Sequence, residues 1–202
     1  DALVAQLTNA PVAEGNSVTG SVVASDVDDG ATLIYALNGE APAGLVFNPD
    51  GSFSFDASGS EFESLGVGQS AQIVVPYTAI DEHEASASAD LVITVNGTND
   101  APIAQADSFI VSEDSSFEDE EENATSIFNG SVFATDIDAN AVLSFSLDDE
   151  APDGLTFNTD GSYSFDTSAD AYQSLAVGQS TEITATYTVT DDQGATSTAD
   201  LI

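Results

Sequence analysis

The chain has 202 residues, 42% of them hydrophobic. That is enough apolar material for one large domain or two of about 100 residues, so high charge alone does not make the chain a disordered acidic tail. It carries 36 acidic side chains, no Lys and no Arg, for a formal charge of −36. This balance excludes salt bridges to Lys or Arg within the chain. It also argues against nucleic acid or direct membrane insertion, since nucleic acid and anionic surfaces recruit basic side chains.

In chain order, Asp1-Ala2-Leu3-Val4 has no signal-peptide pattern and reads as an internal cut. Cys is absent, so disulfides and thiol chemistry are excluded. No stretch reaches the roughly 18 apolar residues of a membrane span. From Gly20 onward the chain repeats itself. Gly20-Ser21-Val22 returns as Gly130-Ser131-Val132, an offset of 130 − 20, or 110. The offset holds without a gap from Gly20–Val92 to Gly130–Ile202, with roughly half the positions identical, the mark of a duplicated unit. Upstream, Asp1 through Gln6 matches Asp100 through Gln105 at an offset of 99. The difference of 11 is an insertion in the second copy, coinciding with the acidic run Glu118-Asp119-Glu120-Glu121-Glu122-Asn123. A solvated loop is the simpler reading of that run; an added cation site is the other. The repeats are therefore expected at 1–99 and 100–202, the second stopping part-way through its last strand, as in a piece of a longer array.

Each copy reads as about seven short strands, from the number of alternating apolar runs. Thr32–Leu37 alternates, with Leu33, Tyr35 and Leu37 on one face; Leu143, Phe145 and Leu147 match them. Gly44–Asn48 and Ser52–Phe55 flank Pro49-Asp50-Gly51, a hairpin signal in which Pro presets φ and Gly takes the left-handed position. A turn or loop at Phe62–Val67 is expected to cover one end of the core with Leu65 and Val67. Gln72–Ile80 should point Ile73, Val75, Tyr77 and Ala79 inward, and Ser88–Val95 should do the same with Leu91, Ile93 and Val95. Short strands with short turns predict an all-β fold, two tandem antiparallel Greek-key sandwiches of Ig-like or cadherin-like type. Tyr77 and Tyr187 fall where sandwiches tie a tyrosine hydroxyl to backbone; simple burial explains them equally well.

Three acidic clusters remain once the core is subtracted. Asp26-Val27-Asp28 recurs as Asp136-Ile137-Asp138, each after a strand. Strand spacing would point both carboxylates to one side, where they repel unless a cation sits between them. Asp81-Glu82 recurs as Asp191-Asp192 at the turn between the last two strands. The third cluster is the linker Asn96-Gly97-Thr98-Asn99-Asp100-Ala101-Pro102, rich in hard oxygen donors. Calcium needs six to eight oxygens, so convergent segments carrying unneutralised acids point to calcium. General acidity for solubility in salt is the plainer alternative.

Ala24-Ser25-Asp26-Val27-Asp28 and Ala134-Thr135-Asp136-Ile137-Asp138 resemble the Ala-x-Asp-x-Asp segment of cadherin repeats, and Asn96–Pro102 resembles the cadherin linker. Tyr187 through Ser197, Gly44–Asn48 and Gly51–Asp56 resemble the VCBS repeats of giant bacterial surface proteins. The resemblance implies RTX-type adhesins, secreted by a type I system, whose repeats extend a ligand-binding tip from the cell. By the cadherin analogy, Asn99, Asp100, Asp136, Asp138 and Asp191 would meet around calcium, with Glu14 and Asp56 added from the first copy. Asp26, Asp28 and Asp81 would face a preceding repeat. The linker departs from the cadherin pattern by opening with Asn96. The first copy carries Glu82-His83-Glu84 where the second has Asp192-Gln193-Gly194, so its turn is expected to lack the glycine conformation.

No enzyme is expected. Without Lys, Arg or Cys, oxyanion or phosphate stabilisation would fall to backbone amides or metals, and the lone His83 has no recurring partner. The expected role is a monomeric, calcium-stiffened extracellular spacer whose partners are neighbouring repeats, serving attachment or biofilm formation. The alternatives are a polysaccharide-binding module, which an exposed aromatic row would favour, and homotypic contact with another adhesin.

Overall fold

The computed structural model describes residues 3–28, 30–113, 117–118 and 124–202. Two compact units emerge, Asp1–Asn99 and Asp100–Ile202. Apart from Glu118, the acidic run lies outside the described residues.

The first unit contains β1 (Val4–Ala5), β2 (Thr8–Ala13), β3 (Ser17–Ser21), β4 (Ala24–Ser25), β5 (Ile34–Leu37), β6 (Leu45–Phe47), β7 (Ser52–Asp56), β8 (Ser70–Ile80) and β9 (Ser86–Asn96). One sheet runs β2-β9-β8-β5, the other β3-β7-β6, and β1 pairs with β4. Apolar alternation sets the faces: Val75, Tyr77, Ala79, Leu91, Ile93 and Val95 are buried, while Val74 between them is exposed. Val75, Tyr77, Leu91, Ile93 and Val95 meet Leu45, Phe53 and Phe55 from the other sheet in one core. Each fully buried side chain of this kind contributes about 1.5–3 kcal/mol.

The second unit contains β10 (Ile103–Gln105), β11 (Phe117–Glu118), β12 (Ala124–Thr125), β13 (Ile127–Ser131), β14 (Phe133–Thr135), β15 (Ser144–Leu147), β16 (Leu155–Phe157), β17 (Ser162–Asp166), β18 (Ala185–Thr190) and β19 (Thr196–Leu201). Its sheets are β15-β18-β19 and β13-β17-β16, with β10-β14 and β11-β12 as separate pairs. Val132, Tyr163, Tyr187 and Val189 centre its core. Apart from β11 and β12, which flank the insertion, its strands follow from the repeat, so the fold is all-β and Ig-like in both copies.

The hairpin turns form as their sequences dictate. Gly51 and Gly161 both take φ of 84°, and the Asp50 and Asp160 carboxylates accept the Ser52 and Ser162 amides and hydroxyls. Those hydrogen bonds hold both carboxyls below the usual range.

Four expectations need correction. The sheets are not purely antiparallel: β2 runs parallel to β9, Thr8 opposite Leu91 through Ala13 opposite Asn96. Val67 does not cover the core; it is 58% exposed, and Phe62, in the turn 59–65, is buried instead. The Asp-x-Asp segments are not strand-spaced pairs. Each bends after its strand as an Asx turn, with Asp26 Oδ1 accepting the Asp28 amide at 2.8 Å and Asp136 Oδ1 accepting the Asp138 amide at 2.9 Å. Finally, the Glu82–Glu84 turn keeps the left-handed conformation without glycine: Glu84 has φ of 67°, against 93° at Gly194.

Candidate cation-binding carboxylates

The topology of the second unit gathers three acidic segments at one of its ends. β10 pairs antiparallel with β14, Ile103 opposite Thr135, so Asp100–Pro102 lies beside Asp136–Asp138. β15 pairs with β18, Ser144 opposite Thr190, which returns the Asp136–Val142 loop to the Asp191 turn. The Asp192 carboxylate accepts the Val142 amide at 3.3 Å and pins loop to turn.

Within that end, Asp138 Oδ2 accepts the Asp100 amide at 2.9 Å. Asp138 is 9% exposed and Asp191 5%. Asp191 Oδ1 accepts the amides of Gln193 and Ala195, both at 2.9 Å, which fixes the turn around it. Asp136 Oδ2 and Asp138 Oδ1 are buried with no hydrogen-bond partner. An unpaired buried carboxylate oxygen costs several kcal/mol unless a proton or cation meets it. Two on neighbouring side chains form a hard-oxygen donor set of the kind calcium takes.

The first unit repeats this end. Asp81 is 9% exposed and its Oδ1 accepts the amides of His83 and Ala85, both at 2.8 Å. Glu82 accepts the Thr32 amide at 2.8 Å, and Asp26 Oδ2 is buried and unpartnered. Asp28 sits exposed beside them. His83 is a surface residue, with Nδ1 at 3.7 Å from the Glu82 carboxylate.

The opposite end of the first unit holds Glu14, between β2 and β3. It is 7% exposed; Oε1 accepts the Thr98 amide at 2.6 Å and the Thr98 hydroxyl at 3.0 Å, and Oε2 is buried and unpartnered. The linker start is fixed alongside, because the Gly97 amide donates to the Gln69 carbonyl at 3.0 Å. Asp56 is different: it is exposed, and its Oδ1 is taken up by the Ser58 amide. Asn99, the last residue of this unit, is half-buried.

Residues 1–94 and 99–202 each match the bacterial Ig domain family. The chain belongs to that family. A search of curated proteins finds no match. Among solved structures, these bacterial Ig domains are similar to human protocadherin-24 EC1-2, at 16% identity and a TM-score of 0.58, over 99% of this chain and 97% of that one. They are also similar to mouse cadherin-23 EC22-24, at 18% identity and a TM-score of 0.55, over 96% and 60% of the two chains. The protocadherin gamma B4 extracellular domain gives 20% identity and a TM-score of 0.54, over 99% and 34%. At these identities the likeness is one of fold, and the chain spans about a third of the last structure's length.

Sequence reasoning did not settle the tyrosines, and both readings hold at once. Tyr77 and Tyr187 are fully buried; the Tyr77 hydroxyl donates to the Gln6 carbonyl at 2.6 Å and the Tyr187 hydroxyl to the Gln105 carbonyl. The Tyr77 hydroxyl ties Gln6, just after β1, to the core and the Tyr187 hydroxyl ties the end of β10, and burial raises both tyrosine pKa values. It also missed Glu113, which lies at offset 99 from Glu14 and has Oε2 buried and unpartnered. Carrying the upstream offset past Gln105 would have found it.

Proposed function

We propose that these bacterial Ig domains are calcium-stiffened extracellular spacer repeats, in which Asp100, Asp136, Asp138 and Asp191 hold the cation with Asn99 and Glu14 contributing. The observation that carries the reading is the pair of buried, unpartnered oxygens on Asp136 and Asp138 in a chain without Lys or Arg. Calcium would supply the positive charge that the sequence lacks and would draw linker and unit into one rigid element. Asp26, Asp28 and Asp81 would serve the same purpose toward a preceding repeat, and Asp56 would remain a local turn acid.

The likeness to VCBS repeats supports an RTX-type surface adhesin, secreted by a type I route, as the parent protein, with attachment or biofilm formation as its task. A spacer, not a catalyst, fits the chemistry of the side chains. Phe133, 61% exposed, is a single outward ring among the described residues and not the aromatic row that a polysaccharide platform would need. Asp136→Ala with Asp138→Ala should leave each unit folded while lowering calcium affinity and broadening the solution-scattering envelope in calcium. A double variant with unaltered scattering in calcium would reject the spacer reading.

A further inference from the structure

In an Asn-Gly pair a side-chain amide faces the least hindered backbone nitrogen a chain can offer, because glycine has no Cβ. The sequence holds three such pairs: Asn38-Gly39, Asn96-Gly97 and Asn129-Gly130. Their folded surroundings differ. Asn96 ends β9, the Gly97 amide donates to the Gln69 carbonyl at 3.0 Å, and a Cβ at Gly97 would meet the Leu65 carbonyl oxygen at 2.0 Å. Asn129-Gly130 lies within β13, in register with Ser164 and Tyr163, and a Cβ at Gly130 would stand 2.4 Å from the Tyr163 side chain. Asn38-Gly39 is open by contrast. Both residues are exposed just past β5, and nothing lies within 4 Å of a Cβ added at Gly39. The Gly39 amide has no hydrogen-bond partner among the described residues.

Asn38 itself is held in place. Its backbone amide donates to the Pro76 carbonyl at 2.9 Å, and its Oδ1 accepts the Thr78 hydroxyl at 2.6 Å. The Ser88 hydroxyl lies 2.8 Å from that of Thr78 and extends the chain. The second unit builds the same corner around an acid. The Asp148 amide donates to the Thr186 carbonyl at 3.0 Å, and Asp148 Oδ1 accepts the Thr188 hydroxyl. Position 38 is therefore an amide in a frame that the other copy uses for a carboxylate. A hydroxyl donor binds the charged acceptor more strongly.

We propose that Asn38-Gly39 is a self-modification site, at which the folded protein deamidates without an enzyme and gives this corner the acidic form found in the second unit. Hydroxide takes the Gly39 amide proton, and the nitrogen forms a bond to Asn38 Cγ. The negative charge that develops on Oδ1 meets the Thr78 hydroxyl. The Cγ–Nδ2 bond then breaks, and the nitrogen leaves as ammonia with a proton from water, which regenerates hydroxide and leaves a five-membered succinimide. Water opens the ring. Breaking the bond from Gly39 N to Cγ gives aspartate; breaking the bond from Gly39 N to the Asn38 main-chain carbonyl carbon gives isoaspartate. On either path amide and water become carboxylic acid and ammonia, and one negative charge joins the existing −36. Only water and base are consumed or recycled, so the inference stands apart from the calcium reading.

The test incubates the 202-residue protein at mildly alkaline pH, folded and in urea, and locates the mass gain of an amide-to-acid exchange in peptic peptides. In the folded protein Asn38 should convert at least about tenfold faster than Asn96 or Asn129, whose backbones must first open. In urea the three rates should converge. Thr78→Val should slow folded Asn38 by about fivefold, the worth of one hydrogen bond, and leave its rate in urea unchanged. Thr78→Ser, which keeps the hydroxyl, should retain the parent's rate. Asn38→Asp should keep the parent's urea midpoint, as the Asp148 corner implies. Equal folded rates at the three sites would overturn the proposal, and so would selectivity that persists in urea, by placing its cause in local sequence. An unchanged or faster Asn38 rate in Thr78→Val would overturn the role of Thr78, and a lowered midpoint in Asn38→Asp would overturn the fit of the acidic product.

Discussion

Replacing Gly97 with alanine tests how the linker is held to the first unit. A Cβ at Gly97 would lie 2.0 Å from the Leu65 carbonyl oxygen and 2.4 Å from that of Gly66. Both obstacles are backbone in the turn beneath Phe62, so the linker must move. That movement breaks the Gly97 amide bond to Gln69 and pulls Thr98 from Glu14, leaving a buried carboxylate with fewer donors. One neutral bond and two bonds to a carboxylate put the loss at about 3–7 kcal/mol. For a domain of this size that lowers Tm on the order of 10 °C or more. Urea unfolding followed by circular dichroism should show the midpoint fall with little change in m, and the amides of Asn96–Thr98 should lose exchange protection. Gly39→Ala is the control, because no heavy atom lies within 4 Å of its added Cβ and its φ is not positive. A Gly97→Ala variant within about 0.5 kcal/mol of the parent, the range of an uninvolved surface change, would refute the anchoring argument.

Two further outcomes are expected. Glu84→Gly should stabilise the first unit by about 1 kcal/mol, by relieving a non-glycine residue at φ of 67°, and an unchanged or lower urea midpoint would contradict this. In alkali, burial and the Asp107 carboxylate push Tyr163 from 10.0 up to about 12. Its folded pKa exceeds the unfolded one, so its stabilising share is complete below pH 10.0 and disappears as pH rises toward about 12. Tyrosinate absorbance should therefore rise late, together with unfolding; a single ordinary titration completed before unfolding begins would count against it.

Much of this fold was legible because period-two alternation and a duplicated sequence point the same way. Ile73, Val75, Tyr77 and Ala79 face inward because pleating allows nothing else once one face is buried. The Pro49-Asp50-Gly51 turn was readable because its residues meet its dihedral demands without tertiary help. What escaped depends on contacts distant in sequence. The parallel pairing of β2 with β9 joins residues some 80 apart and leaves no local mark. Val67 lost its place in the core to Phe62 because the 59–65 turn presents the larger ring. Glu84 shows that tertiary context can impose a left-handed residue where the sequence alone argues against one. At the carboxylates, sequence located Asp136 and Asp138 but read their geometry as strand pleating, whereas an Asx turn aims one oxygen at backbone and leaves another buried.

The central claim is that a cation meets those buried oxygens. Scanning calorimetry of the 202-residue protein in calcium, in magnesium and in chelator tests it most directly. Calcium at 100 times its dissociation constant should add about 2.7 kcal/mol, raising Tm by on the order of 10 °C, because only the folded chain gathers the ligands. Magnesium, which demands strict octahedral geometry and keeps its water, should raise it far less. Superimposable curves in calcium and in chelator would contradict the account.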